Sequence, residues 1–374
     1  MHCTRRTSVL PPGFTTIFLG VFFAFDAGFC LSTTPTGIGS IEMQPVVLQM
    51  MRNDSVFDEL GLDDSQREQV VGVLDRADGP WWRSRVLQDT ERIATVATLI
   101  KTVKSELKQI LSEKSFARLQ QLERQALGTR MFLTDDVAES LLLSPVTVQK
   151  IAGIAQDTID KLAAIQKRAE SGESVDALNA EQQSLAKAEQ DAIVRLLTNG
   201  QKNRIGEVTG TPFSFAQIRR NLPRAPELIQ APENWLQGTP SSLAELRGKV
   251  VAVHFYAFQC INCQRNLPHY AAWYKDYADQ GLVVIGIQTP ETSTERDPVR
   301  VAAAAKEVGI EYPILMDPEG ANWDTTGTRM WPTVYLIDRQ GYLRAWWTGE
   351  MNWQGNPGEK KMRGHLETLL SEAP

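Results

Sequence analysis

The sequence predicts an α+α/β chain: an all-helical module with an internal repeat, followed by an α/β domain. Three observations predict it. From Asp58 to Gly210 apolar residues recur with the period of a helix, and only Pro80 and Pro145 interrupt. Pro212, Pro223, Pro226, Pro232 and Pro240 then follow closely, and proline disfavours helix both for itself and for the residue before it. Beyond them strand-like and helix-like runs alternate, and most of the tryptophans lie at or after Trp235. With 374 residues, 42% of them apolar and 22% charged, the chain can bury a core and is not disordered throughout. A net charge of −6 argues against a nucleic-acid partner, which calls for a basic face.

The N-terminus reads as an export signal. Arg5 and Arg6 precede an apolar run from Phe14 to Phe25, and small and polar residues follow from Ala27 to Ser40. The run is about 12 residues, against the roughly 20 that a spanning helix needs. Residues 1–32 are therefore read as a signal peptide. Ala27-Gly28-Phe29-Cys30 has the outline of a lipoprotein-type box, although Phe29 is large for its position. The expected location is periplasmic or otherwise extracytoplasmic, with an N-terminal lipid as the only membrane anchor. Residues 33–57 are read as a linker.

The helical module is assigned to residues 58–210. Ile93, Val96, Ala97, Ile100, Val103, Leu107, Ile110 and Leu111 keep one face of a long helix, and Ile151, Ile154, Ala155, Thr158, Ile159, Leu162 and Ile165 keep another. Asp63 and Ser144 are N-cap candidates, and Pro80 and Pro145 sit where helices could start or stop. Two halves look alike. Leu62-Asp63-Asp64 through Val70 can be laid on Leu143-Ser144-Pro145 through Ile151, and Ile110-Leu111-Ser112 through Leu119 on Leu196-Leu197-Thr198 through Ile205. The short Leu-Ser/Thr segments resemble the L-T-x-x-Q motifs of periplasmic helical proteins of the CpxP/Spy type. The module contains no titratable cluster with metal-ligand spacing. A spacer, docking or dimerisation element is the plainer reading, and a chaperone-like, client-presenting element the other.

Residues 211–224 are read as a second linker and 225–374 as the α/β domain. Strands are expected over Val250–Tyr256, Leu282–Ile287, Thr333–Ile337 and Tyr342–Trp347, with helices near Cys263–Gln280 and Pro298–Val308. The chemistry-bearing motif is Cys260-Ile261-Asn262-Cys263, between the first of these strands and the first helix. That spacing puts Cys260 at the helix N-terminus, where free N–H groups favour a thiolate, and Cys263 one turn inward. Cys260 can attack a disulfide and Cys263 can resolve the mixed disulfide. Other readings fit less well. Gln264 follows Cys263 where a c-type haem site needs histidine, and no second cysteine pair completes a zinc site. A disulfide closing so small a loop would add little stability. Val253 and Ala257 stand where a peroxidatic motif needs proline and threonine or serine. The dithiol itself carries the electrons, so no cofactor is expected.

The stretch Phe255-Tyr256-Ala257-Phe258-Gln259-Cys260-Ile261-Asn262-Cys263-Gln264-Arg265-Asn266-Leu267-Pro268 resembles the thioredoxin-like domain of TlpA/ResA-type and DipZ-type proteins. Further matches follow in order: Ala225-Pro226, Trp235-Leu236, Leu246-Arg247-Gly248-Lys249, Gly281 through Ile287, Thr289-Pro290-Glu291, Tyr312-Pro313, Asp317, Trp331-Pro332-Thr333 and Asp338-Arg339-Gln340-Gly341. The resemblance covers roughly residues 222–372. It implies that Pro332 is a cis-proline facing the cysteine pair, and that Trp331, Ile261 and Asn262 line the substrate groove. It also implies reduction of protein disulfides, with electrons from a membrane thiol reductase of the CcdA/DsbD kind, in cytochrome c biogenesis or related assembly.

Two departures stand out. His254 occupies the position, six before the first cysteine, where many thioredoxins bury an aspartate that shuttles the inner cysteine's proton. His254 either takes that task or is a core histidine. Tyr256 and Ala257 replace the usual tryptophan and threonine, so substrate preference does not transfer. Glu291 and Glu350 fall nearby without an assigned role. The rival functions are a disulfide oxidase or isomerase, and an envelope client-binding protein whose thioredoxin-like domain is only an adaptor.

Overall fold

The computed structural model describes residues 43–170 and 173–372. The signal peptide, its lipoprotein-type box and residues 33–42 of the first linker lie outside the described residues. The chain forms two compact units. One takes the chain up to Val73 together with Asp89–Arg220; the other takes Leu74–Gln88 together with the chain from Asn221 onward. Among the described residues no helix is long and apolar enough to cross a membrane.

The first unit is helical. Its elements are α1 (Val46–Met50), α2 (Asp54–Leu60), the first part of α3 (Asp64–Ser84), α4 (Asp89–Ile110) and α5 (Glu113–Leu127). A 3-10 turn, Gly128–Leu133, leads to α6 (Asp135–Ser140), α7 (Pro145–Glu170), α8 (Val175–Leu196) and α9 (Asn199–Thr209). The repeat is visible in the backbone and is longer than the sequence suggests, running α2–α5 and then α6–α9. Gly61 and Leu142 both take a left-handed conformation, with φ of 65° and 52°, just before the long helix of each half. The next N–H donates back in each case, Leu62 to Phe57 at 3.0 Å and Leu143 to Ala138 at 2.8 Å. The caps follow the same plan. Asp63 accepts from the Gln66 N–H at 2.8 Å and Ser144 from the Thr147 N–H at 3.1 Å. Ser112 caps α5, and Thr198 with Gln201 forms a capping box on α9.

Three features differ from the sequence reading. Pro80 lies inside α3 and does not end it. The span read as the linker 33–57 contains α1, all five residues of which are buried, and the start of α2. The span read as the linker 211–224 is tied down: Gln125 donates to the Thr209 and Thr211 carbonyls and accepts from the Phe213 N–H, while Asn53 brackets Arg219.

The second unit holds a six-stranded sheet of order β1-β4-β3-β2-β5-β6, built from β1 (Trp235–Gln237), β2 (Val250–Tyr256), β3 (Leu282–Gln288), β4 (Ile314–Met316), β5 (Thr333–Ile337) and β6 (Leu343–Thr348). β2, β3 and β4 are parallel; β1, β5 and β6 run antiparallel to their neighbours. Every residue of β2 is buried, as a central strand covered on both faces requires. The helices are α10 (Ile261–Tyr277), α11 (Pro298–Glu307), α12 (Ala321–Thr326) and α13 (Gly358–Ser371). One face of the sheet (Val250, Ala252, Tyr256, Val284, Val334 and Leu336) packs with Cys263, Leu267, Tyr270 and Trp273 of α10 and Met362, Leu366 and Leu369 of α13. The other face (Val251, Val253, Phe255, Ile285, Tyr335 and Ile337) packs with Leu228, Trp235, Leu243 and Trp82. Trp82 comes from the far end of α3, a segment the sequence reading gave wholly to the helical module. Its indole stands 5.1 Å from the Tyr335 ring and donates to the Thr326 carbonyl at 2.8 Å. Arg85 lies over both rings and also donates to the Thr326 carbonyl.

Candidate active site

β2 delivers the chain to the site and α10 carries it away. After Tyr256 the backbone turns, the Cys260 N–H donating to the Ala257 carbonyl at 3.1 Å. The Cys260 carbonyl then accepts the Gln264 N–H at 3.0 Å, which makes Cys260 the N-cap of α10. Cys260 is partly exposed, whereas Cys263 is 0% exposed. Burial pushes the Cys263 thiol well above its ordinary range, and the adjacent Cys260 and the charge of Glu291 add to this. An N–H donor at Ala257 acts the other way. Ile261, 56% exposed, and Asn262 face solvent between the cysteines.

The Trp331–Pro332 peptide is cis and Pro332 is buried, at the position where the family resemblance implied a cis-proline. Trp331 is held on two sides: its indole N–H donates to the Thr289 carbonyl at 3.1 Å, and its ring stacks on Trp323 of α12 at 4.1 Å. Cys260 and Trp331 both border the apolar cluster that contains Cys263.

His254 is brought beneath α10 but not into a hydrogen bond. It is 0% exposed, stacks on Tyr270 at 4.2 Å and lies near the rings of Tyr256 and Tyr312. Neither ring nitrogen has a hydrogen-bond partner among the described residues. Burial drives its pKa down to about 3, so the ring is neutral at physiological pH. Room for it comes from Gly286, its partner in register on β3, where a Cβ would stand 3.0 Å from Nε2.

Several residues of the site had no role in the sequence reading. Asn266, one turn past Cys263, donates to the Gly349 carbonyl at 3.1 Å and accepts the Met351 N–H at 3.0 Å. Tyr256, Tyr270 and Tyr312 surround His254, and burial raises the phenol pKa of all three. Glu295 is fully buried beneath the loop that leads into Cys260. Its one sequence signal is the capping-box spacing Thr292-Ser293-Thr294-Glu295. Glu350 forms a surface ion pair with Arg265 at 3.0 Å.

Residues 224–346 match the AhpC/TSA family model. Over 105 residues, 28% of this chain, the sequence is 50% identical to Protein DipZ of Mycobacterium tuberculosis, spanning only 15% of that protein's length. Over 141 residues, 37% of this chain, it is 34% identical to the thiol-disulfide oxidoreductase ResA of Halalkalibacterium halodurans, covering 72% of that protein. The chain belongs to the ResA-like, thioredoxin-like thiol-disulfide oxidoreductases. A solved thioredoxin-like superfamily protein, SPOA0173, aligns with a TM-score of 0.36 at 27% identity, covering 40% of this chain and 97% of its own. The AhpC/TSA match falls within the second unit, and the helical module lies outside its span.

Proposed function

We propose that this oxidoreductase is exported and reduces disulfides in protein substrates through a mixed disulfide on Cys260. The carrying observation is the inequality of the two sulfurs: Cys260 is reachable at the start of α10, while Cys263 is enclosed and its thiol is held protonated by burial. Only Cys260 can meet a substrate first. Its thiolate forms a bond to one substrate sulfur, and the other leaves as a thiolate that takes up a proton. Cys263 then gives up its proton and attacks the Cys260 sulfur, which releases the second substrate thiolate and leaves a Cys260–Cys263 disulfide. Two electrons and two protons pass to the substrate. A membrane thiol reductase of the CcdA/DsbD kind then restores the dithiol.

Pro332 faces this exchange, and the Trp331 backbone pairs with an extended substrate segment flanked by Ile261 and Asn262. Of the two readings of His254, the core histidine fits better than the acceptor for the Cys263 proton, because a neutral, unbonded ring with so low a pKa is poorly suited to take it. Export and an extracytoplasmic location rest on Arg5, Arg6 and the Phe14–Phe25 run. Trapping tests the reading. Cys263→Ser should accumulate mixed disulfides that vanish on adding dithiothreitol and are absent from Cys260→Ser. A Cys263→Ser chain that traps nothing in its native compartment counts against the mechanism.

A further inference from the structure

The Phe258–Gln259 peptide, one peptide ahead of the bond into Cys260, is gripped at both ends. Its N–H, that of Gln259, donates to Glu295 Oε1 at 2.8 Å. Its carbonyl, that of Phe258, accepts from Gln264 Nε2 at 2.8 Å. The other oxygen of Glu295 accepts the N–H groups of Glu291 at 2.7 Å and Thr292 at 2.8 Å. The Gln259 side chain is caught by the same turn, its Oε1 accepting from Thr292 Oγ1 at 2.8 Å and Thr294 Oγ1 at 2.9 Å. Glu295 is 0% exposed, although Gln259 itself is on the surface. A carboxylate is rarely buried so completely unless donors converge on it, and here all three amide donors are backbone. Capping the 3-10 turn Ser293–Arg296 accounts for the Oε2 contacts. It does not account for Oε1, which reaches across to another loop.

We propose that Glu295 is a positioning residue for the dithiol: its carboxylate locks the Phe258–Gln259 peptide and so fixes the backbone that presents Cys260 to Cys263 and to substrate. Disulfide geometry is narrow, with Cβ atoms about 3.8 Å apart and a dihedral near 90°. A peptide held at both ends has already surrendered the freedom that closure demands. Released, it must surrender that freedom on each cycle, so the dithiol gains relative to the disulfide.

Glu295→Gln separates the two jobs of the side chain. An amide has one acceptor oxygen and one NH2. If the oxygen keeps Glu291 and Thr292, the NH2 faces the Gln259 N–H, donor against donor, and the grip on the active-site loop is lost. The experiment has two arms, both on the full chain. In the wild type, the Gln259 amide should exchange with deuterium as slowly as the buried amides of β2; exchange at the rate of an open loop overturns the proposal outright. In glutathione buffers, E295Q should shift the dithiol/disulfide equilibrium toward the dithiol by about fivefold. Its attack on a model disulfide should slow about tenfold, from loss of alignment. A purely structural residue would lower the unfolding midpoint and leave the equilibrium unmoved, and that result overturns the proposal. If E295Q does not fold, Gln264→Leu frees the other end of the same peptide from an exposed position. It should shift the equilibrium the same way by about twofold, and an unmoved equilibrium there overturns the proposal. The inference rests on the oxidoreductase reading. A wild type that exchanges no thiols overturns both, whereas an active wild type with an unaltered E295Q overturns this role alone.

Discussion

The two faces of the second unit's sheet are built to different standards of hydrogen bonding. On the face covered by Trp82, several buried polar groups find partners. The Trp82 indole and Arg85 donate to the Thr326 carbonyl, Arg85 bonds the Tyr335 hydroxyl, Thr328 shares that hydroxyl at 3.0 Å, and the Trp235 indole donates to Gln230 at 2.7 Å. On the face beneath α10, both nitrogens of His254, the hydroxyls of Tyr256 and Tyr312, and the amide of Gln288 have no hydrogen-bond partner among the described residues. A buried polar group left unbonded costs roughly 1–3 kcal/mol. That cost is concentrated on the face that encloses Cys263, while the bonded face serves as support. Unbonded groups at the reactive side and bonded ones at the structural side are what a site that departs from local stability rules looks like.

The largest way to break this contrast is to strip the supporting face. Trp82→Ala removes a fully buried indole and its bond to Thr326, and should cost about 3–5 kcal/mol in urea unfolding. The Cys260/Cys263 equilibrium with glutathione should stay where it is in the fraction that remains folded. A loss below about 1 kcal/mol would show that Leu74–Gln88 is not part of this unit's core.

Gly286→Ala presses on the other face. Its Cβ would sit 3.0 Å from His254 Nε2 and 3.2 Å from Tyr256 Cε1, with both rings already enclosed. Overpacking of this kind costs about 1–3 kcal/mol. Because the push is transmitted toward the cluster around Cys263, the rate at which Cys263 resolves a mixed disulfide should change, whereas in Trp82→Ala it should not. Stopped-flow measurement of resolution in the two variants separates the faces; equal rates would erase the distinction.

The site was more legible than its setting. Cys260 and Cys263 could be read from the sequence because they rest on local spacing: strand, two-residue gap, helix start. Trp331-Pro332 was legible only through the resemblance to the TlpA/ResA-type and DipZ-type proteins. The main strands β2, β3 and β5 were legible as apolar runs, and the first-unit caps Asp63 and Ser144 as polar residues before periodic segments. What escaped depends on distant pairing. Pro80 resembles a helix end, yet α3 continues through it, and Trp82 just beyond it belongs to a core formed mainly by residues more than a hundred positions later. Glu295 looks like a surface carboxylate in a polar Thr-Ser-Thr-Glu run until the fold brings the Gln259 amide to it. The short strands β1 and β4 have three residues each, too few for periodicity to register.

His254 offers the finest test of the reactive face. Its folded pKa of about 3 lies below the value of about 6.5 expected in an unfolded chain. Between those limits the unfolded chain binds a proton that the folded chain refuses, so stability falls as pH drops from about 6.5 toward 3 and is unaffected by this group above that window. The slope contributed approaches about 1.4 kcal/mol per pH unit. His254→Leu removes the titrating ring, so the difference in unfolding free energy between variant and wild type should be flat above pH 7 and grow steadily in the variant's favour below it. Curves that stay parallel down to pH 4 would mean that the ring protonates in the folded protein, and that the buried, unbonded His254 is wrong. The same variant carries the catalytic question. If His254 takes the Cys263 proton, the pH profile of mixed-disulfide resolution must move in His254→Leu. A profile that holds still while the acid stability slope disappears assigns His254 to the core and leaves the proton of Cys263 to another group.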